Sequence, residues 1–187
     1  MDHYIEINIL PDPEFTPPTV MNVLFGKLHA ALVSMESDDI GVSFPEMGDD
    51  KPSLGSRLRL HGTREKLSRL ASAPWLAGMA DYIRARDIAP VPPNVTHRIF
   101  RRVQTKSNPQ RLRRRMIKRK GVSQEEAQNT IPDSAARFLK APFVRLKSSS
   151  TGQNFLLFIE QTPPQADPAP GAFSRYGLSQ TATVPCF

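Results

Sequence analysis

Isoleucine occupies every second position from Ile5 to Ile9, with polar residues between. A period of two is typical of a strand with one buried face. The spacing changes after Thr16, where apolar residues recur at helical intervals through Leu24 and Leu32. Thr16 is suited to cap this helix, which we expect to run to about residue 34. The pattern therefore predicts a strand followed by a helix whose apolar stripe faces a sheet.

The segments that follow predict two short strands, a second helix and one more strand. Leu67 and Leu70 lie on one face of the predicted second helix. The predicted elements are strands at 40–45 and 56–61, a helix at 63–71 that continues or restarts towards Leu76, and an extended segment with Tyr82, Ile83 and Ile88. This βαββαβ order predicts a ferredoxin-like domain over residues 1–94.

A proline-rich segment at residues 89–93 separates this domain from a second one, which we expect over residues 95–187. Its first element is an arginine-rich helix at about 109–120, because Asn108 provides a cap and Gly121 an end. The elements predicted beyond it are a short helix capped by Ser123 with Glu126, a helix at 135–139, strands at 143–149 and 153–160 around a turn at Thr151 and Gly152, and a last strand around 173–178. The two domains together predict an α+β fold, with the C-terminal one of α/β type.

The net charge of +7 comes from one segment. Residues Arg98 to Lys120 contain 11 basic and no acidic residues, while the rest of the chain contains 14 basic and 18 acidic. Like charges three or four residues apart on a helix repel by about 0.2–0.5 kcal/mol per pair, so this segment predicts a polyanionic partner. Arginine predominates, and its planar guanidinium favours a structured nucleic acid over diffuse attraction. The alternative is a solvated helix face, but such faces usually mix acids with bases.

Several classes of protein are disfavoured by composition. No apolar run approaches the roughly 20 residues that a membrane span needs, and the first ten residues lack a secretion signal, so we expect a cytoplasmic location. A single cysteine, Cys186, argues against a disulfide framework and a cysteine-based zinc site. No two of the four histidines have the spacing of metal ligands, and no compact carboxylate cluster accompanies them. We therefore expect neither a metal nor another cofactor.

One histidine stands apart from the other three. His3 and His61 lie in predicted strands, where structural roles are favoured, and His97 lies at the end of the proline-rich segment. His29 lies off the leucine stripe of the first helix, on the side of Phe25, so core packing does not fully explain it. The aromatic signature of an RNA-recognition sheet is missing, so we do not expect RNA to be read by a sheet face.

Four segments occur in a fixed order along the chain, namely FGKLHAAL in the first helix, RRVQTKSNPQRLRRR, the hairpin RLKSSSTGQNFLLFIE and the tail segment RYGLS. In these segments the chain resembles the type I-F CRISPR-associated endoribonucleases, which process CRISPR RNA precursors. The resemblance extends over essentially the whole chain. The resemblance implies a ferredoxin-like N-terminal domain and an arginine-rich helix that docks in the major groove of the RNA repeat's hairpin.

The resemblance also implies a catalytic group. His29 corresponds to the catalytic histidine, Ser148 to the serine that holds the attacking ribose, and Tyr176 to the tyrosine that orients the histidine. The neighbouring Ser149 and Ser150 leave the register of the serine open.

The RNA-binding residues follow from the same motifs. Arg102 and Gln104 are expected to read two base pairs near the cleavage end, and Phe155 to stack on the terminal pair. The cationic residues expected to bind the hairpin from the helix are Arg111, Arg114, Arg115, Lys118 and Arg119. The family generally has arginine at the position of Lys118, and a lysine there loses the two-point contact.

These assignments predict a metal-independent endoribonuclease that cuts CRISPR repeat RNA at the base of its stem-loop. The RNA 2′-hydroxyl attacks the adjacent phosphorus, which leaves a 5′-hydroxyl and a 2′,3′-cyclic phosphate. A histidine, with an ordinary pKa of about 6.5, is suited to take the 2′ proton, although the sequence leaves open whether His29 is the base or another proton-transfer group. The product is expected to stay bound, in assembly with other type I-F proteins. A non-catalytic RNA-hairpin-binding protein and a duplex-DNA binder are the alternatives.

Overall fold

The computed structural model describes residues 1–48, 52–104, 109–131, 140–148 and 151–187, with only the backbone of residues 109–111. The chain forms two compact units, one of Met1–Val103 with Ala141–Phe187 and one of Gln104–Lys140. Both helices and sheets are present, which confirms the α+β class. The division into domains at residues 94 and 95 stays a prediction. None of the helices in the described ranges has the length and apolar composition that crossing a membrane requires.

The larger unit begins with a four-stranded sheet and two helices in the order β-α-β-β-α-β. The elements are β1 (His3–Ile9), α1 (Pro17–Ser34), β2 (Gly41–Ser43), β3 (Arg57–Gly62), α2 (Arg64–Ser72), a 3₁₀ helix (Pro74–Leu76) and β4 (Ile83–Ala85). Neighbouring strands are antiparallel in the spatial order β2-β3-β1-β4. A fifth short strand, β5 (Ala89–Pro90), also pairs with β1, so the start of the proline-rich segment joins the sheet.

One face of this sheet forms the core with both helices. Ile5 and Ile7 of β1 are buried together with Leu24, Leu28 and Leu32 of α1. Burial of a leucine side chain contributes about 1.5–3 kcal/mol, so the leucine stripe accounts for the position of α1 on the sheet. Thr16 precedes α1 as predicted, but its side chain makes no capping bond to the backbone and bonds the Thr19 hydroxyl instead.

The rest of the larger unit adds two smaller sheets. The strands are β6 (Thr96–Arg98), β7 (Phe100–Val103), β8 (Phe143–Lys147), β9 (Asn154–Gln161) and β10 (Val184–Cys186). They pair antiparallel, in the order β7-β9-β8 and as β10 with β6. The predicted hairpin is therefore confirmed.

The strand predicted around residues 173–178 is wrong, because this segment turns back on itself. The Gly177 N–H donates to the Ser174 carbonyl at 2.8 Å, and Gly177 has a φ of 70°. A Cβ at Gly177 would lie 2.6 Å from Val42 Cγ1, so the close approach of the turn to β2 requires glycine. The apolar residues that suggested a strand pack into the core from a turn.

The smaller unit contains helices α3 (Pro109–Lys120) and α4 (Gln124–Thr130), which pack on each other. Both were predicted. Gly121 ends α3 with a φ of 66°, and the Ser123 side chain accepts a hydrogen bond from the Glu126 N–H at the start of α4. The predicted cap at Asn108 and the helix at 135–139 lie outside the described residues.

His61 is a buried histidine of β3 with a structural environment. Its Nε2 lies 2.8 Å from Ser43 Oγ, and its Nδ1 is buried without a hydrogen-bond partner among the described residues. Burial, and to a lesser extent the charge of Arg59, lowers the pKa of His61 to about 3. Because a histidine in the unfolded chain has a pKa of about 6.5, the unfolded state binds a proton that the folded state does not.

This difference predicts a loss of stability as the pH falls from about 6.5 towards 3, with a slope of about 1.4 kcal/mol per pH unit. The His61→Gln variant keeps an amide that can bond Ser43 and removes the titration. We expect urea unfolding to show that the wild type loses about 1.6 kcal/mol more than the variant between pH 6.5 and pH 5. Equal losses in the two proteins would show that folding does not lower the pKa of His61.

Candidate active site

His29 lies on α1, beside the buried leucine stripe and not within it. Leu28 and Leu32 are fully buried, whereas His29 is half-buried. The helix spacing places the imidazole at the edge of the core, as the sequence predicts. A ring in this position is held by its neighbours and still reaches solvent.

A backbone carbonyl determines which ring nitrogen of His29 carries a proton. His29 Nδ1 lies 2.8 Å from the Arg175 carbonyl oxygen. A carbonyl oxygen only accepts hydrogen bonds, so Nδ1 is the protonated nitrogen of the neutral ring and Nε2 keeps its lone pair. No residue in the described part of the chain hydrogen-bonds Nε2. The imidazole is therefore set to accept a proton at Nε2.

Tyr176 covers one face of the same ring. The two rings are nearly parallel, with centroids 4.0 Å apart and an interplanar angle of 15°. Arg175 and Tyr176 are consecutive in the turn at 174–177, and this turn is tied to β2 by a 2.9 Å bond from the Val42 N–H to the Gly177 carbonyl. One turn thus supplies both contacts to the histidine ring.

Ser148 follows β8 directly and is half-buried. Its backbone closes the hairpin, since its N–H donates to the Gln153 carbonyl at 2.9 Å and its carbonyl accepts from the Gly152 N–H at 2.8 Å. β8 packs on α1, where the Asn22 side chain accepts a bond from the Arg145 N–H at 2.7 Å. Ser148 therefore ends a strand that lies against the helix of His29. Ser149 and Ser150 lie outside the described residues.

Two of the predicted RNA-binding residues are neighbours in the sheet of β7, β8 and β9. The guanidinium carbon of Arg102 lies 5.9 Å from the centre of the Phe155 ring, and both side chains are half-buried. The adjacent Arg101 is held by Glu160 at 2.7 Å. Gln104, which follows β7 in the chain, is exposed. Pairing of β7 with β9 brings Arg102 and Phe155 together across 53 positions of sequence.

The cations of α3 separate into two faces. Five of them are exposed, namely Arg114, Arg115, Lys118, Arg119 and Lys120. Leu112, Met116 and Ile117 are half-buried on the other side, where Arg113 Nε donates to the Ile131 carbonyl at 2.7 Å. None of these five exposed cations forms an ion pair with a described residue. The side chain of Arg111 lies outside the described residues.

The Arg175 carbonyl is the functional group that sequence reasoning missed. A backbone oxygen carries no residue signature, and Arg175 lies 146 positions from His29. Within the described ranges, no three histidine, cysteine, aspartate or glutamate residues are grouped to hold a metal ion.

Known proteins resemble this chain over its full length. A family model described as CRISPR-associated protein (Cas_Csy4) matches residues 4–187. A CRISPR-associated endonuclease Cas6/Csy4 of Pseudomonas aeruginosa strain UCBPP-PA14 is 50% identical over 187 residues, which is all of both chains. One from Escherichia coli strain UTI89 is 44% identical over the same length. The chain therefore belongs to the Csy4 family of CRISPR-associated proteins, which confirms the resemblance inferred from the four motifs.

The hydrogen bond to the Arg175 carbonyl predicts the tautomer of His29. We expect long-range ¹H–¹⁵N spectra of the neutral ring to show a protonated Nδ1 and an unprotonated Nε2. His97 serves as an internal control, because its Nδ1 lies 3.1 Å from the Ala166 carbonyl and is expected to be protonated too. An unprotonated Nδ1 at His29 would contradict the assignment.

Proposed function

We propose that this protein is a metal-independent endoribonuclease that cleaves CRISPR repeat RNA at the base of its stem-loop. The observation that carries the proposal is the His29 ring, which is held by the Arg175 carbonyl and by Tyr176 with Nε2 left to exchange a proton. Membership of the Csy4 family and the cationic face of α3 support RNA as the substrate. The order and polarity of β1 to β4 support a ferredoxin-like domain around the histidine.

The substrate supplies its own nucleophile. The 2′-hydroxyl attacks the adjacent phosphorus, so an O2′–P bond forms as the P–O5′ bond breaks. The 2′ proton leaves to a base, the departing 5′ oxygen gains a proton, and the products are a 2′,3′-cyclic phosphate and a 5′-hydroxyl. His29 moves one of these protons at Nε2, Tyr176 keeps the ring in place, and the Ser148 hydroxyl holds the ribose. None of these steps needs a metal ion.

Recognition of the hairpin is divided between two kinds of contact. The exposed cations of α3 bind stem phosphates, which gives affinity but little sequence information. Arg102 and Gln104 contact base edges near the cleavage site, and Phe155 stacks on the terminal pair. The major groove of an RNA duplex is deep and narrow, and it opens near a loop, so a helix can enter a hairpin more easily than a long duplex.

These contacts are independent of cleavage, so the product stays bound as the mature guide RNA. We propose that the protein then serves as a subunit beside other type I-F interference proteins in the cytoplasm. The second candidate function is a non-catalytic RNA-hairpin-binding protein, which the exposed face of α3 would support equally well. A duplex-DNA binder ranks last, because the tautomer set at His29 has no role in it.

The His29→Ala variant tests the proposal. We expect strand scission to fall by about 10²–10⁴-fold, the range that general acid–base groups contribute, while hairpin affinity stays near the wild-type value. The matched control is His97→Ala, which removes a second half-buried histidine bonded to a carbonyl and is expected to cut normally. Wild-type cleavage by His29→Ala would favour a different catalytic group.

Two further arms of the same assay, one with a modified substrate and one with EDTA, distinguish 2′-hydroxyl attack from metal-dependent cleavage. A hairpin with one 2′-deoxy nucleotide upstream of the scissile phosphate is expected to bind and remain uncut, because it lacks the nucleophile. Cleavage of the all-ribose hairpin is expected to persist in excess EDTA. Efficient cutting of the deoxy hairpin would contradict 2′-hydroxyl attack, and recovery of EDTA-blocked cutting with Mg²⁺ would contradict metal independence.

The proposed binding of RNA phosphates by the exposed face of α3 can be tested separately. The Arg115→Ala/Arg119→Ala variant is expected to weaken hairpin binding and to reduce the slope of log affinity against log salt by about 1.4–1.8, because two phosphate contacts are lost. The control is Arg64→Ala/Arg69→Ala, which removes two exposed arginines from α2. Equal slopes for the two variants would show that α3 does not bind phosphates.

A further inference from the structure

The first sheet has a second face, turned away from α1 and α2, that the proposed function does not use. Side chains alternate across a strand, so burial of Ile5 and Ile7 against α1 places Glu6 and Asn8 on this second face. The helix that carries His29 lies on the isoleucine face. The second face is therefore separate from the candidate active site.

Strand register places four arginines around Glu6 and Asn8. Asn8 pairs with Arg57 of β3 on one side and with Arg84 of β4 on the other. In the next row Glu6 pairs with Arg59, and its carbonyl accepts a bond from the Arg86 N–H at 2.8 Å. Directly paired residues share a face, and neighbouring strands lie about 4.8 Å apart. The four arginines thus form two rows across three strands.

The carboxylates on this face do not balance the arginines. Glu6 is buried and bonds Arg59 Nε at 2.8 Å, with Arg86 Nε at 3.4 Å. Glu46 lies 3.6 Å from Arg57. Arg84 forms no ion pair with a described residue, and Arg57 Nε is buried without a hydrogen-bond partner in the described part of the chain. Arg59 also donates a hydrogen bond to the main-chain oxygen of Phe187. Among the described residues, four guanidinium groups thus face the carboxylates of Glu6 and Glu46, and the arginine face (Arg57, Arg84 and Arg86, with the buried Arg59 beneath) keeps an excess of positive charge.

The chemistry of this face favours a phosphate backbone over a protein partner. Arg57, Arg84 and Arg86 are wholly or partly exposed, and the Arg86 side chain reaches 69% exposure. Protein interfaces have an apolar centre, whereas Asn8 and Glu6 occupy the centre here. Residues two apart on a strand are about 6.6 Å apart, so Arg84 and Arg86 can reach successive groups of an extended chain. No exposed aromatic side chain stands on these three strands. The neighbouring Phe187 ring is covered on one face by the Arg59 guanidinium, whose carbon lies 4.1 Å from the ring centre, so contacts to phosphates are favoured over stacking of bases.

We propose that Arg57, Arg84 and Arg86 bind the phosphates of single-stranded RNA that flanks the hairpin. The inference rests on the proposed function, because it takes the repeat RNA as the ligand. It adds a second contact surface that holds the backbone without reading sequence. The absence of an RNA-recognition aromatic signature agrees with such a role, since phosphate contacts carry no base information.

The test uses the full chain and an uncleavable 2′-deoxy hairpin, with and without a single-stranded extension of about ten uridines, a length within the site sizes of single-strand-binding domains. We expect the extension to tighten wild-type binding by about fivefold, the order expected for a few exposed charge contacts. The Arg84→Gln/Arg86→Gln variant is expected to lose this gain and to bind the bare hairpin like the wild type. Its salt slope on the extended RNA should fall by about 1.4, since two single-strand contacts are lost.

The matched control is Arg64→Gln/Arg69→Gln on α2, which removes the same charge and should keep the gain. Thermal melts check that both variants fold, as expected for substitutions of exposed side chains. Equal gains in wild type and Arg84→Gln/Arg86→Gln would overturn the inference and leave the face to an acidic protein partner. A wild type that binds the hairpin without a gain overturns this inference alone, whereas one that binds neither RNA overturns the proposed function as well.

Discussion

The hydrogen bond between the Arg175 carbonyl and His29 Nδ1 is the contact on which the candidate active site depends, because it directs the lone pair of the imidazole to Nε2. The bond exists only if the turn at 174–177 lies in one place. Gly177 makes this possible, since its positive φ and missing Cβ let the turn approach Val42 of β2. A substitution of Gly177 is therefore expected to move the Arg175 carbonyl and so to affect the proton transfer proposed for His29.

The two faces of the first sheet show how one alternating strand can serve two physical purposes. Ile5 and Ile7 bury apolar surface against α1 and hold the helix of His29 in position. Glu6 and Asn8, which alternate with these isoleucines along β1, lie among the arginines of the other face. The hydrophobic effect fixes the register of β1, and that register in turn decides which charged residues become neighbours.

Helix α3, like β1, has two sides with different physical roles. A helix with so many cations and no acid is unfavourable by itself, because its neighbouring charges repel. Leu112, Met116 and Ile117 supply one apolar side, and Arg113 is bonded to the carbonyl of Ile131. The repulsion is therefore concentrated on one exposed face, where a polyanion would relieve it. Under the proposed function, stability of the unit and affinity for RNA therefore come from opposite sides of the same helix.

The sequence alone determined α1 and α3, the position of His29 beside the leucine stripe and the family, because helical periodicity and motif order depend on residues close in the chain. It misplaced a strand at 173–178, since apolar residues there resemble a strand until Gly177 turns the chain against β2. The Arg175 carbonyl and the arginine face were decided only by tertiary structure. Both arise from contacts between distant segments, one through a backbone oxygen and the other through strand register, and neither leaves a local pattern of residues.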